Sequence, residues 1–303
     1  MIRELRIRLF GCFELLFDRC VLPNFPTQRA KVLFAMLVLQ AGQVLPRARL
    51  VDILWQDVDE GHARKCLSTE LWRMRSLLKA GGLNPERLIL ANRDGVRFED
   101  KAPYWLDVDA FERALAAVEG TPPELLIPDQ VRALQAAVDL YRGDILEGVY
   151  DDWSLLRREA LASQYRGALE MLMRWHFASR HWEAALACGQ KLLGQDPLLE
   201  HVHRTMMRCY VELGIRSVAI RQYGSCVERL RRELGIEPME ETVILYRSIC
   251  GGQSPAEVAA ETAMVAPPTG RVPPLDLARE RLQRARRCLA QASRLLTQQA
   301  ARP

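Results

Sequence analysis

Between His62 and Ala80 the chain reads HARKCLSTELWRMRSLLKA, and from Arg64 to Lys79 five Lys or Arg residues stand against a single Glu. At about 3.6 residues per turn, Lys65, Thr69, Trp72, Arg73 and Ser76 share one side of a helix. Ammonium, hydroxyl, indole and guanidinium groups at that spacing suit hydrogen bonding and packing to base edges and phosphates in a DNA major groove. The other side carries Leu67, Leu71, Met74 and Leu78 at i, i+4, i+7 and i+11, an apolar stripe that calls for burial. A basic face is also what an ordinary solvated helix shows, so the neighbouring elements must decide.

Upstream, Arg6 to Phe13 alternates loosely, and Glu14 to Leu22 continues in short apolar pieces broken by Asp18-Arg19, which predicts a small antiparallel sheet. TQRAKVLFAMLVLQAGQ predicts a core helix with Thr27 as N-cap and Gly42 as its stop. Pro46 suits the first turn of a second helix through Trp55, with Leu50, Ile53 and Leu54 inward. A loop from Gln56 to Gly61, acidic at Asp57, Asp59 and Glu60, leads into the basic helix. Beyond Gly81-Gly82, RLILANRDGVRFE reads as two strands about the turn Asn92-Arg93-Asp94-Gly95. Sheet, three helices with the third basic, then a hairpin is the order of a winged helix-turn-helix, whose third helix enters the major groove while the wing reaches the flanking backbone or minor groove.

From LDVDAFERALAAVEG to about Gly251 the pattern is helical, interrupted by a Pro-rich loop from Thr121 to Pro128, and nothing in it reads as a strand. A period of 34 residues relates Leu172-Met173-Arg174-Trp175 to Met206-Met207-Arg208-Cys209, and Glu183-Ala184-Ala185-Leu186 to Ser217-Val218-Ala219-Ile220. That is the period of tetratricopeptide helix pairs, which stack into a superhelix with a concave protein-binding groove; a plain helical bundle is the alternative. The expected fold is therefore mainly α. A winged helix-turn-helix with a small antiparallel sheet and wing (1–102) precedes an all-α tetratricopeptide-like superhelical domain for activation or dimerisation (103–251). A Pro-rich linker (252–274) leads to a basic amphipathic C-terminal helix (275–301), whose Leu275, Ala278, Leu282, Ala285, Leu289, Ala292 and Leu296 form a heptad stripe suited to a coiled coil or to packing back on the repeats.

The 303 residues, 49% hydrophobic and 26% charged, describe globular material and exclude wholesale disorder. The net charge of +4 is segregated: 17 basic against 12 acidic residues in 1–105, 17 against 24 in 106–270, and 8 against 2 in 271–303. A basic front and tail about an acidic middle fit a chain with one end facing a polyanion. Charges interrupt every short apolar run at the N-terminus and no 18-residue apolar span follows, so a cytoplasmic, nucleoid-associated protein is expected. Eight scattered cysteines without CxxC or Cys/His spacing read as small buried hydrophobes, with no zinc site. Five scattered His residues offer no nucleophile, metal or phosphate-loop pattern, so neither an enzyme nor a cofactor is expected.

The chain resembles the SARP-type (antibiotic-regulatory) bacterial activators, which join an OmpR-like winged helix to a bacterial transcriptional activation domain of tetratricopeptide-like helices. The resemblance covers about residues 5–250. It rests on TQRAKVLFAMLVLQAGQVLPRARLVDILW followed by HARKCLSTELWRMRSLL, on LDVDAFERAL, on YRGDILEG with Gly143 and Gly148 suited to turns, and on RRELGIEP. It implies a transcriptional activator that binds double-stranded DNA at promoter repeats, as a homodimer or in tandem, and recruits RNA polymerase holoenzyme. Lys65, Thr69, Trp72 and Arg73 would then face the groove, with Arg64 beside them. Arg75, Arg47 and Arg49 would hold phosphates, Arg93 would tip the wing, and Asp57, Asp59 and Glu60 would meet polymerase. Trp72 departs from the small or basic residue expected at its position. No receiver domain and no GxxxxGK[ST] loop is expected in cis. The competing function is a tetratricopeptide adaptor that binds protein partners and uses its winged helix as a scaffold.

Overall fold

The computed structural model describes residues 4–251; the linker and the Leu/Ala heptad segment expected from the sequence lie outside the described residues. The order is β1 (Leu5–Arg8), β2 (Glu14–Phe17), β3 (Cys20–Val21), α1 (Gln28–Leu39), β4 (Leu45–Pro46), α2 (Arg47–Leu54), α3 (Glu60–Ala80), β5 (Ile89–Ala91), β6 (Gly95–Phe98) and β7 (Tyr104–Leu106). Seven helices follow: α4 (Asp107–Ala116), α5 (Pro128–Leu140), α6 (Asp152–Ala178), α7 (Trp182–Gln195), α8 (Glu200–Glu212), α9 (Arg216–Leu234) and α10 (Glu240–Gly251).

The first half is a winged helix-turn-helix. Eight of the twelve α1 residues are buried, which fits its unbroken apolar run, and Thr27 caps it as the sequence implies, its hydroxyl accepting from the Ala30 N–H at 3.1 Å. Gly42 follows at φ +82°, a left-handed backbone that glycine adopts without a Cβ clash. Phe13, Phe25, Phe34, Phe98 and Tyr104 chain together edge-to-face or tilted, their centroids 5.1–6.1 Å apart, beneath the helices. The hairpin closes a second sheet in the order β4-β6-β5. Pro46 lies in its edge strand, just ahead of α2 rather than inside the first turn, and an edge is where a residue lacking an N–H costs the ladder least.

Two expectations fail. Tyr104–Leu106 is a strand, parallel to β1 with Leu5 opposite Tyr104, so the first sheet runs β3-β2-β1-β7 and its last strand comes from beyond the wing. Three residues leading straight into a helix carry too little alternation to be seen as a strand. The cysteines, too, are only partly core: Cys188, Cys209 and Cys226 are buried, but Cys12, Cys20 and Cys250 are exposed.

The second half is the expected array of helix pairs. α6 packs on α7, α7 on α8 and α8 on α9, while α10 covers Met207 and Ala219 with Leu245 and Ile249. The 34-residue period is visible atom by atom. The His181 N–H bonds the His176 carbonyl at 2.8 Å, and 34 residues on the Ile215 N–H bonds the Tyr210 carbonyl at 2.8 Å. Arg180 and Gly214 occupy the same left-handed corner, at φ +58° and +73°.

Candidate nucleic-acid interface

α3 begins at Glu60, two residues before the expected start, because Asp59 is its N-cap: the carboxylate accepts from the His62 N–H at 3.2 Å. The helix buries Ala63, Leu67, Glu70, Leu71, Met74, Leu77 and Leu78 and so includes the whole apolar stripe. Arg64, Lys65, Ser68, Thr69, Trp72 and Lys79 are exposed on the other side. At about 100° per residue Trp72 and Ser76 fall roughly 20° to either side of Lys65, along the midline of that face. Trp72 is 67% exposed there. Its indole, the Lys65 ammonium and the Lys79 ammonium have no side-chain hydrogen bond or ion pair among the described residues.

Two hydroxyls on this face point back into the helix. Ser68 donates to the Arg64 carbonyl and Thr69 to the Lys65 carbonyl, each at 3.0 Å. Arg64 pairs across one turn with Glu60, an exposed contact of small energetic weight.

Arg73, expected in the groove, is held at the rim instead. It donates at 2.7 Å to Glu70, whose other oxygen accepts from the Thr27 hydroxyl at 2.6 Å. Glu70 is only 6% exposed, and a buried carboxylate needs such partners. The triad Thr27-Glu70-Arg73 therefore ties the start of α1 to the middle of α3. Sequence reasoning missed it, because an acid in a basic helix reads as a surface residue.

Two of the expected phosphate contacts are likewise engaged inside the fold. Arg75 donates to the Ile89 carbonyl at 3.0 Å and its Nε is buried, which fastens α3 to the wing. Arg47 donates to the Asn92 carbonyl at 2.9 Å and steadies the wing turn. Arg49 and Arg93 are exposed, with no ion pair or hydrogen bond from their side chains among the described residues.

The wing turn is self-bonded. The Asn92 side-chain oxygen accepts from the Asp94 and Gly95 N–H groups at 3.0 and 2.9 Å, leaving Arg93 at the apex. A Cβ on Gly95 would lie 2.4 Å from the Leu45 carbonyl oxygen, so glycine is what lets β6 close on β4.

The acidic loop is shorter than expected and only Asp57 in it is an uncommitted carboxylate. Asp59 caps α3 and Glu60 is inside it, paired with Arg64. Val58, between them, is half-buried against the core. Among the described residues no group of three His, Cys, Asp or Glu is placed to hold a metal ion, and no helix is long and apolar enough to cross a membrane.

Residues 106–250 match the family described as bacterial transcriptional activator domain. The chain is similar to SARP-type transcriptional regulators. It is 26% identical over 257 residues to the transcriptional regulatory protein MoaR1 of Mycobacterium tuberculosis, covering 80% of this chain and 78% of that one. It is also 26% identical over 227 residues to the regulatory protein DnrI of Streptomyces peucetius, covering 73% and 84%. Among solved structures, Mycobacterium tuberculosis EmbR in complex with a low-affinity phosphopeptide shares the fold, with TM-score 0.68 and 22% identity over 86% of this chain and 69% of that one. The relatives are named as regulators, and a role in activating transcription is the common ground.

The matched domain starts inside the sheet of the winged helix, at the last residue of β7. Asp107, 2% exposed, accepts from the Leu9 N–H at 2.8 and 3.0 Å, from the Phe10 N–H at 3.0 Å and from the Val108 N–H at 2.8 Å. Burial pushes its carboxyl above the usual range, and these N–H groups pull the other way. YRGDILEG clasps the same spot. The Gly11 N–H bonds the Gly143 and Asp144 carbonyls at 3.1 and 3.2 Å, and Phe10 lies 4.8 Å from Tyr141, which stacks on Tyr165 at 4.2 Å. Gly143 and Gly148 take φ +152° and +81°, as their place in turns requires. Arg158 secures the loop from below through the Ile145, Leu146 and Val149 carbonyls. The first sheet of the winged helix and the matched domain are thus held by one continuous joint.

Proposed function

We propose that this regulator is a sequence-specific DNA-binding activator that inserts α3 into the major groove, binds promoter repeats as a homodimer or in tandem, and recruits RNA polymerase holoenzyme. The observation that carries this reading is the exposed face of α3, where Lys65, Thr69, Trp72 and Lys79 lie open beside a wing bearing Arg93. Lys65, Thr69 and Trp72 meet bases, with Arg64 and Lys79 on flanking phosphates and Arg73 at the groove edge. Arg49 and Arg93 hold phosphates, while Arg47 and Arg75 act by positioning the wing. Asp57 is the loop group that meets polymerase.

A mobility-shift titration over increasing salt on a selected operator tests the reading. Neutralised phosphates release counterions, so affinity falls steeply as salt rises, and Arg49→Ala or Arg93→Ala each flattens the slope by about one unit. A protein with no salt-dependent DNA binding would be an adaptor, with peptide partners for its helical repeats.

A further inference from the structure

No charged group stands at the centre of the exposed α3 face: Lys65 and Lys79 lie two turns to either side of Trp72. Arg73 is turned to Glu70, and the neighbouring hydroxyls of Ser68 and Thr69 are spent on backbone carbonyls one turn earlier. Apart from the indole N–H and the half-buried Ser76 hydroxyl, what stands outward at the centre is carbon: the Trp72 ring, 67% exposed, and the methyl of Thr69, whose hydroxyl is directed to the Lys65 carbonyl. Exposing an indole to water on the surface of a basic helix has no folding benefit, since apolar area gains only when it leaves water. In the major groove, the apolar group a base pair presents is the 5-methyl of thymine.

We infer that the centre of each operator half-site is read through thymine methyl groups by Trp72 together with Thr69, so that a thymine step, rather than a guanine, is the determinant there. The inference rests on the DNA-reading function proposed above. Lys65, two turns toward the N-terminus of α3, and Lys79, two turns toward its C-terminus, flank this apolar centre and supply the charge that it lacks.

The test uses the full chain and an operator obtained by selection from random duplexes. Each thymine in the site is replaced in turn by deoxyuridine, which removes one methyl and leaves every hydrogen-bonding group in place. The expected result is an affinity loss of about 3- to 5-fold at one or two central positions, the size that follows from one buried carbon. Trp72→Ala should bind more weakly and be indifferent to deoxyuridine at those positions, whereas Trp72→Phe should retain part of the discrimination. Thr69→Ser deletes the side-chain methyl and keeps the back-bonded hydroxyl, so it should lower the loss at one position without altering thermal stability. Selected DNA that binds tightly while no deoxyuridine position matters would overturn the thymine inference and leave DNA reading intact. So would equal deoxyuridine sensitivity in wild type and Trp72→Ala. Failure to select any duplex would instead remove the DNA-reading function on which the inference rests.

Discussion

Asp59 and Asp57 sit two residues apart in the acidic turn before α3, yet they do different work. Removing an N-cap carboxylate costs about 1 kcal/mol, so Asp59→Ala should lower the thermal midpoint and weaken DNA binding by fraying the start of the reading helix. Asp57→Ala should change neither thermal stability nor DNA affinity but should reduce transcription in a purified polymerase assay at saturating occupancy; unchanged transcription would take Asp57 out of the polymerase contact. A second residue-scale effect concerns His203, whose Nε2 lies 3.1 Å from the Pro197 carbonyl and whose Nδ1 meets the Gln222 amide nitrogen at 2.8 Å. That network places the proton on Nε2 and leaves the ring neutral. Burial above all holds its pKa below 6.5, opposed next by the hydrogen bond to the Pro197 carbonyl, then helped by Arg229 and opposed again by Gln222 and Glu200. A depressed histidine pKa gives stability that is complete above 6.5 and lost as pH falls through the folded value. The melting temperature should therefore drop as pH falls below about 6.5, and His203→Gln should flatten that slope. An unchanged slope in the variant would assign the acid sensitivity to other groups.

Among the elements, the two repeat corners differ in one informative way. Arg180 and Gly214 have the same backbone role 34 residues apart, but only Gly214 lacks the Cβ that disfavours φ near +60°. A left-handed non-glycine residue costs about 1–2 kcal/mol, part of which is returned when glycine is introduced because the unfolded chain becomes more flexible. Arg180→Gly should thus raise stability by a net of about 0.5–1 kcal/mol, and Gly214→Ala should lower it, both measured by urea denaturation. Loss of stability in Arg180→Gly would mean that the arginine side chain contributes more than its backbone costs. The α7–α8 contact is less forgiving: a Cβ on Gly189 would stand 2.8 Å from Met206 Cγ and Sδ and 3.0 Å from Met173 Cε, so closeness of the pairs depends on a residue without a side chain.

On the scale of the molecule, the joint between the winged helix and the matched helical domain is a set of backbone groups satisfied across nearly a hundred residues. Asp107→Ala would leave the Leu9 and Phe10 N–H groups without the carboxylate that now accepts from them, at about 1–3 kcal/mol for each orphaned donor. The expected result is two melting transitions in calorimetry where wild type shows one, and faster proteolysis between β6 and α4. Because the joint touches the first sheet and not α3, that variant should keep affinity for a single DNA half-site better than it keeps activation. A variant that melts in one transition with normal activation would show that β7 and the YRGDILEG clasp suffice.

How much of this was legible beforehand depends on the range of the interactions. The apolar stripe of α3, the Thr27 cap, the wing turn at Asn92-Arg93-Asp94-Gly95 and the 34-residue helix pairs are set by neighbours within a few turns, so spacing alone determined them. Which basic residues remain open was decided only by tertiary structure. Arg75 is engaged by the Ile89 carbonyl, Arg47 on α2 by the Asn92 carbonyl, and Arg73 by a Glu70 one turn away that Thr27 of the α1 cap holds in place, whereas Lys65 stays open. The strand at Tyr104–Leu106 and the role of Asp107 also had no local signature, because both exist only through β1, and a carboxylate at the start of a helix looks the same whether it faces water or the N–H groups of Leu9 and Phe10. Periodicity records which face of an element leaves water; it cannot record which distant donor or acceptor will be waiting there, since that pairing forms only when the two segments meet.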